Sequence, residues 1–98
     1  MHARVSTVAG TPESVEQGIA TFKDNILPEL TSIAGNRGAI LLVDRGSGNA
    51  TAITLWDDEE SMRASEERAN QLRREASQEL GGGGDARVER YEVAIFET

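Results

Sequence analysis

The spacing of apolar residues along this chain switches repeatedly between alternation and a helical period, and each switch marks an element. Arg4 to Val8 alternates, is rich in β-formers and stops at Gly10. Thr11 and Pro12 follow as an N-cap and a first helical residue, with Glu13 placed to favour the positive end of a helix. Val15, Ile19, Phe22, Ile26, Leu30 and Ile33 then form a helical stripe. Pro28 falls inside that stripe and has no N–H for the carbonyl of residue 24, which predicts a kink or a break after Leu27. Ala34-Gly35-Asn36-Arg37-Gly38 closes the helix with residues that tolerate left-handed backbone.

Ala39 to Asp44 and Thr51 to Trp56 read as strands, joined by the permissive turn Arg45-Gly46-Ser47-Gly48-Asn49. The first is apolar on both parities, with Ile40 and Leu42 pointing one way and Leu41 and Val43 the other, which predicts cover on both faces. In the second, Ala52, Thr54 and Trp56 share one face while Ile53 and Leu55 share the opposite one. Asp57 and Glu60 have the spacing of a capping box, so a second helix is expected to begin there. Its inward stripe is Met62, Ser65, Ala69, Leu72, Ala76 and Leu80, and an Arg/Glu surface covers the remainder. Gly81 to Gly84 is expected to act as a mobile connector. Arg87 to Glu97 reads as the last strand, with Tyr91, Val93 and Ile95 on one face and Val88, Arg90, Ala94 and Phe96 on the other.

The order β-α-β-β-α-β predicts an α+β, ferredoxin-like domain over residues 1–98: a four-stranded antiparallel sheet with two helices on one face. The sheet face away from the helices still carries apolar residues, so the chain is expected to pair with a second copy, sheet against sheet, as a dimeric α+β barrel. Size supports that expectation, because 98 residues form a small core and the absence of cysteine rules out disulfide or thiolate reinforcement. A net charge of -7 disfavours nucleic acid and anionic membrane surfaces as partners. No apolar run reaches spanning length, and Met1-His2-Ala3-Arg4 leads directly into a strand, so a cytoplasmic location is expected.

Several segments resemble the antibiotic-biosynthesis-monooxygenase-like (ABM) domains of the dimeric α+β barrel superfamily. They are Thr11-Pro12-Glu13, Ile26-Leu27-Pro28-Glu29-Leu30, Gly38 before the second strand, Leu55-Trp56-Asp57-Asp58-Glu59-Glu60-Ser61-Met62 and Val88-Glu89-Arg90-Tyr91-Glu92-Val93. The resemblance covers nearly the whole chain and implies that Trp56 lines a ligand pocket between sheet and helices. It also implies that Arg73 or Arg74 stands where the family has a helix-two arginine. The Asn that cofactor-independent oxygenases of the family carry upstream of this Trp is Ala52 here. The His and Asn of the haem degraders have no counterpart, since the one histidine is His2 and the first strand offers Arg4, Ser6 and Thr7.

Other chemistry is thinly represented. No His spacing suits a metal, and no cofactor is expected. No Cys or general-base His is present to activate a nucleophile, and Lys23 lies on an ordinary helix face. Asp57 to Glu60 read as the solvated start of a helix, and the glycine run lacks the lysine of a phosphate loop. The small residues Ser65, Ala69 and Ala76 on the inner stripe of helix two leave room beneath it. A pocket for a small apolar or aromatic ligand is therefore expected among Phe22, Ile26, Trp56, Met62, Ala69, Leu72 and Tyr91, with Trp56 and Arg73 as catalytic candidates. Two function classes stay open: a cofactor-independent monooxygenase acting on a small aromatic or polyketide-like molecule, and a non-catalytic dimeric ligand-binding module.

Overall fold

A computed structural model of the chain describes residues 1–79 and 87–98. Strands β1 (His2–Val8), β2 (Asn36–Val43), β3 (Ala50–Trp56) and β4 (Arg87–Glu92) form one antiparallel sheet in the order β2-β3-β1-β4. That is the ferredoxin-like arrangement the element order predicts. All helices lie on one side of it. Register fixes the faces: His2 pairs with Trp56, Arg4 with Thr54 and Arg90, Ser6 with Ala52 and Val88, Val8 with Ala50. Because side chains alternate, this set points to the helices, while Val5, Ile53, Ile40, Leu42 and Tyr91 point away.

Pro28 leaves its mark as an irregular turn just before it rather than as a break after Leu27. A 3-10 turn at Pro12–Ser14 leads into α1 (Val15–Thr21), a π-helical turn spans Phe22–Ile26, and α2 (Leu27–Ser32) follows without a break at Leu27. Pro28 withholds the donor that the Asp24 carbonyl would take, and the widened turn immediately before it absorbs the mismatch. The stripe survives, with Val15, Phe22, Ile26 and Leu30 all buried. Phe22, Ile26 and Leu30 pack with Leu27, Ile33, Ala39, Leu41 and Ala52, which makes this helix and β2–β3 the aliphatic half of the interior.

The second helical stretch is two pieces, α3 (Glu59–Ala64) and α4 (Glu66–Glu79), meeting at Ser65. Its N-cap is Asp58 rather than Asp57: the Asp58 carboxylate accepts from the Ser61 N–H at 2.8 Å. That bond to the backbone holds the Asp58 pKa below the ordinary carboxylate range. Asp57 pairs with Arg37 at 3.3 Å instead. Of the expected inner stripe, Met62, Ser65 and Ala69 are buried. The connector expected at Gly81 to Gly84 lies outside the described residues. The last strand ends at Glu92, earlier than expected, and Ile95 and Phe96 are exposed.

Two glycines are required by close approach. Gly35 (φ 86) would drive a Cβ to 2.5 Å from the Ser61 Cβ, where the loop before β2 meets α3. Gly48 (φ 84) would place one 2.1 Å from the Thr11 carbonyl carbon, where the β2–β3 hairpin closes on the start of the first helix.

Candidate ligand site beside Trp56

Trp56 is fully buried, at 0 % exposure, at the end of β3. Its Nε1–H donates to Thr54 Oγ1 at 2.9 Å, so the polar atom of the indole is satisfied within its own strand face. The neighbouring strand supplies the other large group. Arg4, 1 % exposed, holds its Cζ 5.3 Å from the Trp56 ring centroid, within cation–π range. Arg4 Nη2 donates to the Met62 carbonyl at 2.7 Å and to Ser65 Oγ at 2.6 Å. These bonds tie β1 to the α3–α4 junction at Ser65, whose own hydroxyl donates to the same Met62 carbonyl at 2.7 Å.

Charge around Arg4 is shared outwards. Its Nε lies 3.5 Å from Glu66 Oε1, and Arg90 clasps the same carboxylate with Nε–Oε1 at 2.6 Å and Nη2–Oε2 at 3.0 Å. Burial pushes the Arg4 pKa down, Glu66 pulls it back up, and Arg90 pushes it down again. The hydrogen bonds to Glu66 raise the Arg90 pKa. An arginine keeps its proton under all these influences, so the buried charge is permanent. Ser6, Thr21, Thr54 and Ser65 are buried as well. The covered end of the sheet is thus a polar interior with an indole in it.

The residues expected to line a pocket divide between two places. Trp56 and Met62 gather at the Arg4 end, whereas Phe22 and Ile26 belong to the aliphatic cluster on Ala39, Leu41 and Ala52. Ala69 is buried on α4. Tyr91 is a correction: it pairs with Ala3 on the sheet face turned away from the helices, is 50 % exposed, and donates its hydroxyl to Glu89 at 2.8 Å. Strand parity excludes it from the Trp56 side. The side chains of Leu72 and Arg73 lie outside the described residues. Arg4 is the group that sequence reasoning passed over, because alternation alone assigns a charged strand residue to solvent. Strand register supplies what alternation lacks: the face that Arg4 shares with Ser6 and Val8 meets Thr54 and Trp56.

Strand order, register and one-sided helices identify the architecture. The chain has a ferredoxin-like fold shared with solved antibiotic biosynthesis monooxygenases. The monooxygenase ActVA-Orf6 of Streptomyces coelicolor, solved in complex with nanaomycin D, superposes with a TM-score of 0.76 at 16% identity, over 99% of this chain and 92% of that one. A dimeric ferredoxin-like protein from an uncultured marine organism superposes at 0.69 and 11% identity, over 99% and 91% of the two chains. In sequence, the uncharacterised Mycobacterium tuberculosis protein Rv2558 is 42% identical over 96 residues, 98% of this chain and 40% of its own length. Its compatriot Rv2557 is 35% identical over 96 residues, 98% of this chain and 42% of its own. The chain therefore spans about two fifths of the curated relatives it matches. No family model matches the chain.

Among the described residues no group of His, Cys, Asp and Glu could hold a metal ion, and no helix is long and apolar enough to cross a membrane.

Proposed function

We propose that this ABM-fold chain is a ligand-binding module that takes a small aromatic or polyketide-like molecule between the sheet and α3–α4, beside Trp56. The observation that carries this reading is the buried Arg4, Thr54 and Ser65 set around the indole. A 98-residue core gains nothing from desolvating a guanidinium and hydroxyls where apolar packing would serve, so a polar interior there argues for recognition.

Binding without turnover is favoured over oxygenation by two local features. Thr54 already occupies the Trp56 N–H, and Ala52 offers no amide on the same strand face. Monooxygenase chemistry is the second reading, favoured by the fold shared with ActVA-Orf6. Oxygen uptake with a panel of quinols and polyphenols separates the two, run on the wild type and on Trp56→Phe. Ligand-induced thermal stabilisation without uptake supports the binding module. Uptake that falls in Trp56→Phe supports the oxygenase.

The proposal includes a second copy of the chain on the open sheet face. Ile40 (42 % exposed), Leu42 (52 %) and Tyr91 (50 %) lie on that face with Val5 and Ile53 half-buried between them. A contiguous apolar face on a small domain is best hidden against its own symmetry mate, since a two-fold axis covers both patches at once.

A further inference from the structure

The guanidinium of Arg4 is only partly accounted for by the fold. Nη2 is committed to the Met62 carbonyl and Ser65 Oγ at 2.7 and 2.6 Å. Nη1 is buried and, among the described residues, donates to no hydrogen-bond acceptor. Nε faces Glu66 at 3.5 Å, an ion pair too long for a hydrogen bond, and that carboxylate makes its short bonds to Arg90. Among the described residues the Arg4 and Arg90 guanidiniums share the Glu66 carboxylate. Next to Arg4 on the same strand face, His2 Nδ1 is likewise buried without a hydrogen-bond partner among the described residues, opposite Trp56 in register.

A guanidinium has donors and no acceptors, so whatever meets Nη1 must accept, and inside a protein an anionic acceptor gains most. A purely architectural arginine in this position would have its inward N–H groups met by backbone carbonyls. Here only one terminal nitrogen is so used, and the flat face of Trp56 lies beside the guanidinium.

We infer that Arg4 is an anion anchor: its Nη1 edge donates to the anionic oxygen, carboxylate or phenolate, of a planar ligand held beside Trp56 under α3 and α4. This rests on the ligand-binding reading above and specifies the chemistry of what binds. Glu66 is the internal competitor, since it neutralises part of the charge the ligand would use. His2 supplies a second nitrogen on the same strand face.

The test is calorimetric titration of the full chain with three probes of one shape: 4-nitrobenzoate, 4-nitrophenolate and neutral 4-nitrotoluene. Quenching of the fluorescence of the sole tryptophan locates binding. At least one anion is expected to bind about tenfold or more tighter than nitrotoluene, and which anion wins separates carboxylate from phenolate. Arg4→Met is expected to abolish that preference and Arg4→Lys to reduce it, because an ammonium keeps the charge without the planar fork. Glu66→Gln is expected to tighten anion binding several-fold. Should Arg4→Met lose its fold by circular dichroism, the Arg4→Lys and Glu66→Gln titrations still decide. Equal affinity for charged and neutral probes, or an anion preference that survives in a folded Arg4→Met, overturns the anchor while leaving the binding module intact. Failure of all three probes overturns the anchor, and the quinol panel then judges the binding module separately.

Discussion

Each face of the sheet carries, over part of its area, residues expected of the other: the covered face holds a polar set beside Val8, Leu41, Ala50 and Ala52, and the open face an apolar set beside Thr7, Thr51 and Glu89. The face under the helices, which should be the oilier one, holds Arg4, Ser6, Thr54 and the hydrogen-bonded Trp56, all buried. The face turned away, which should be the wetter one, presents Ile40, Leu42 and Tyr91 with substantial exposure. In an antiparallel sheet with one solvated side the alternation runs the other way. The contrast is local: it sets the Arg4–Trp56 end of the covered face and the Ile40–Leu42–Tyr91 patch of the open face apart from the ordinary core. Under the proposed function the polarity of the covered face serves recognition, and the apolar surface of the open face serves a second copy of the chain. The aliphatic cluster of Phe22, Ile26 and Leu30 on β2–β3 shows what an ordinary core in this chain looks like, and it contains no charged group.

Substitutions on either face should break or sharpen that contrast. Trp56→Ala is expected to have the largest effect, costing about 3–5 kcal/mol in denaturant unfolding, because the fully buried indole leaves a cavity that the rigid strand pair does not fill. Leu42→Asp should leave each subunit folded but weaken self-association by about two orders of magnitude in sedimentation velocity, the usual effect of a charge at the centre of a buried apolar contact. A wild-type chain that sediments as a stable monomer at micromolar concentration would remove the partner from the comparison altogether. Thr54→Val keeps the shape of the covered face but strands the Trp56 N–H, for an expected loss of about 1–2 kcal/mol with little change in association.

The smallest effect lies at neither face. Asp58 caps α3 in solvent, and its depressed pKa means that its contribution is present above the ordinary aspartate range and is lost as pH falls through the lowered value. Asp58→Ala should therefore lower the melting temperature slightly at neutral pH and not at all in strong acid. An undiminished difference at low pH would mean that the side chain acts through something other than its charged cap.

Much of this is legible in the residues alone. The stripe from Val15 to Leu30, the alternation in β1 and β3 and the hairpin turn each repeat a period of the backbone, and local period is what residues next to one another in sequence can encode. Pro28 announced an irregularity but not its form, because a missing donor can be absorbed by a break or by a widened turn, and packing of Phe22 and Ile26 against β2–β3 selects the latter. The helix cap falls one residue later than the pattern predicts, since Asp57 and Asp58 are equivalent in pattern and tertiary contacts, the Asp57 N–H to the Gly35 carbonyl and the Arg37 ion pair, tie Asp57 to the loop before β2. Tyr91 was assigned to the pocket by its chemistry, and strand register placed it on the other side.

The sequence by itself determined the order of elements, the ferredoxin-like class, the apolar excess on β2 and the prominence of Trp56, because these follow from periodicity and composition along the chain. Only the tertiary structure decided that Arg4 is buried, that it meets Trp56, Ser65 and Glu66, and that Ile40 and Leu42 are left facing outward. Those facts depend on which strand lies beside which and in what register. Contacts between residues some 60 positions apart, such as Arg4 and Ser65, carry no mark in either residue's neighbours along the chain.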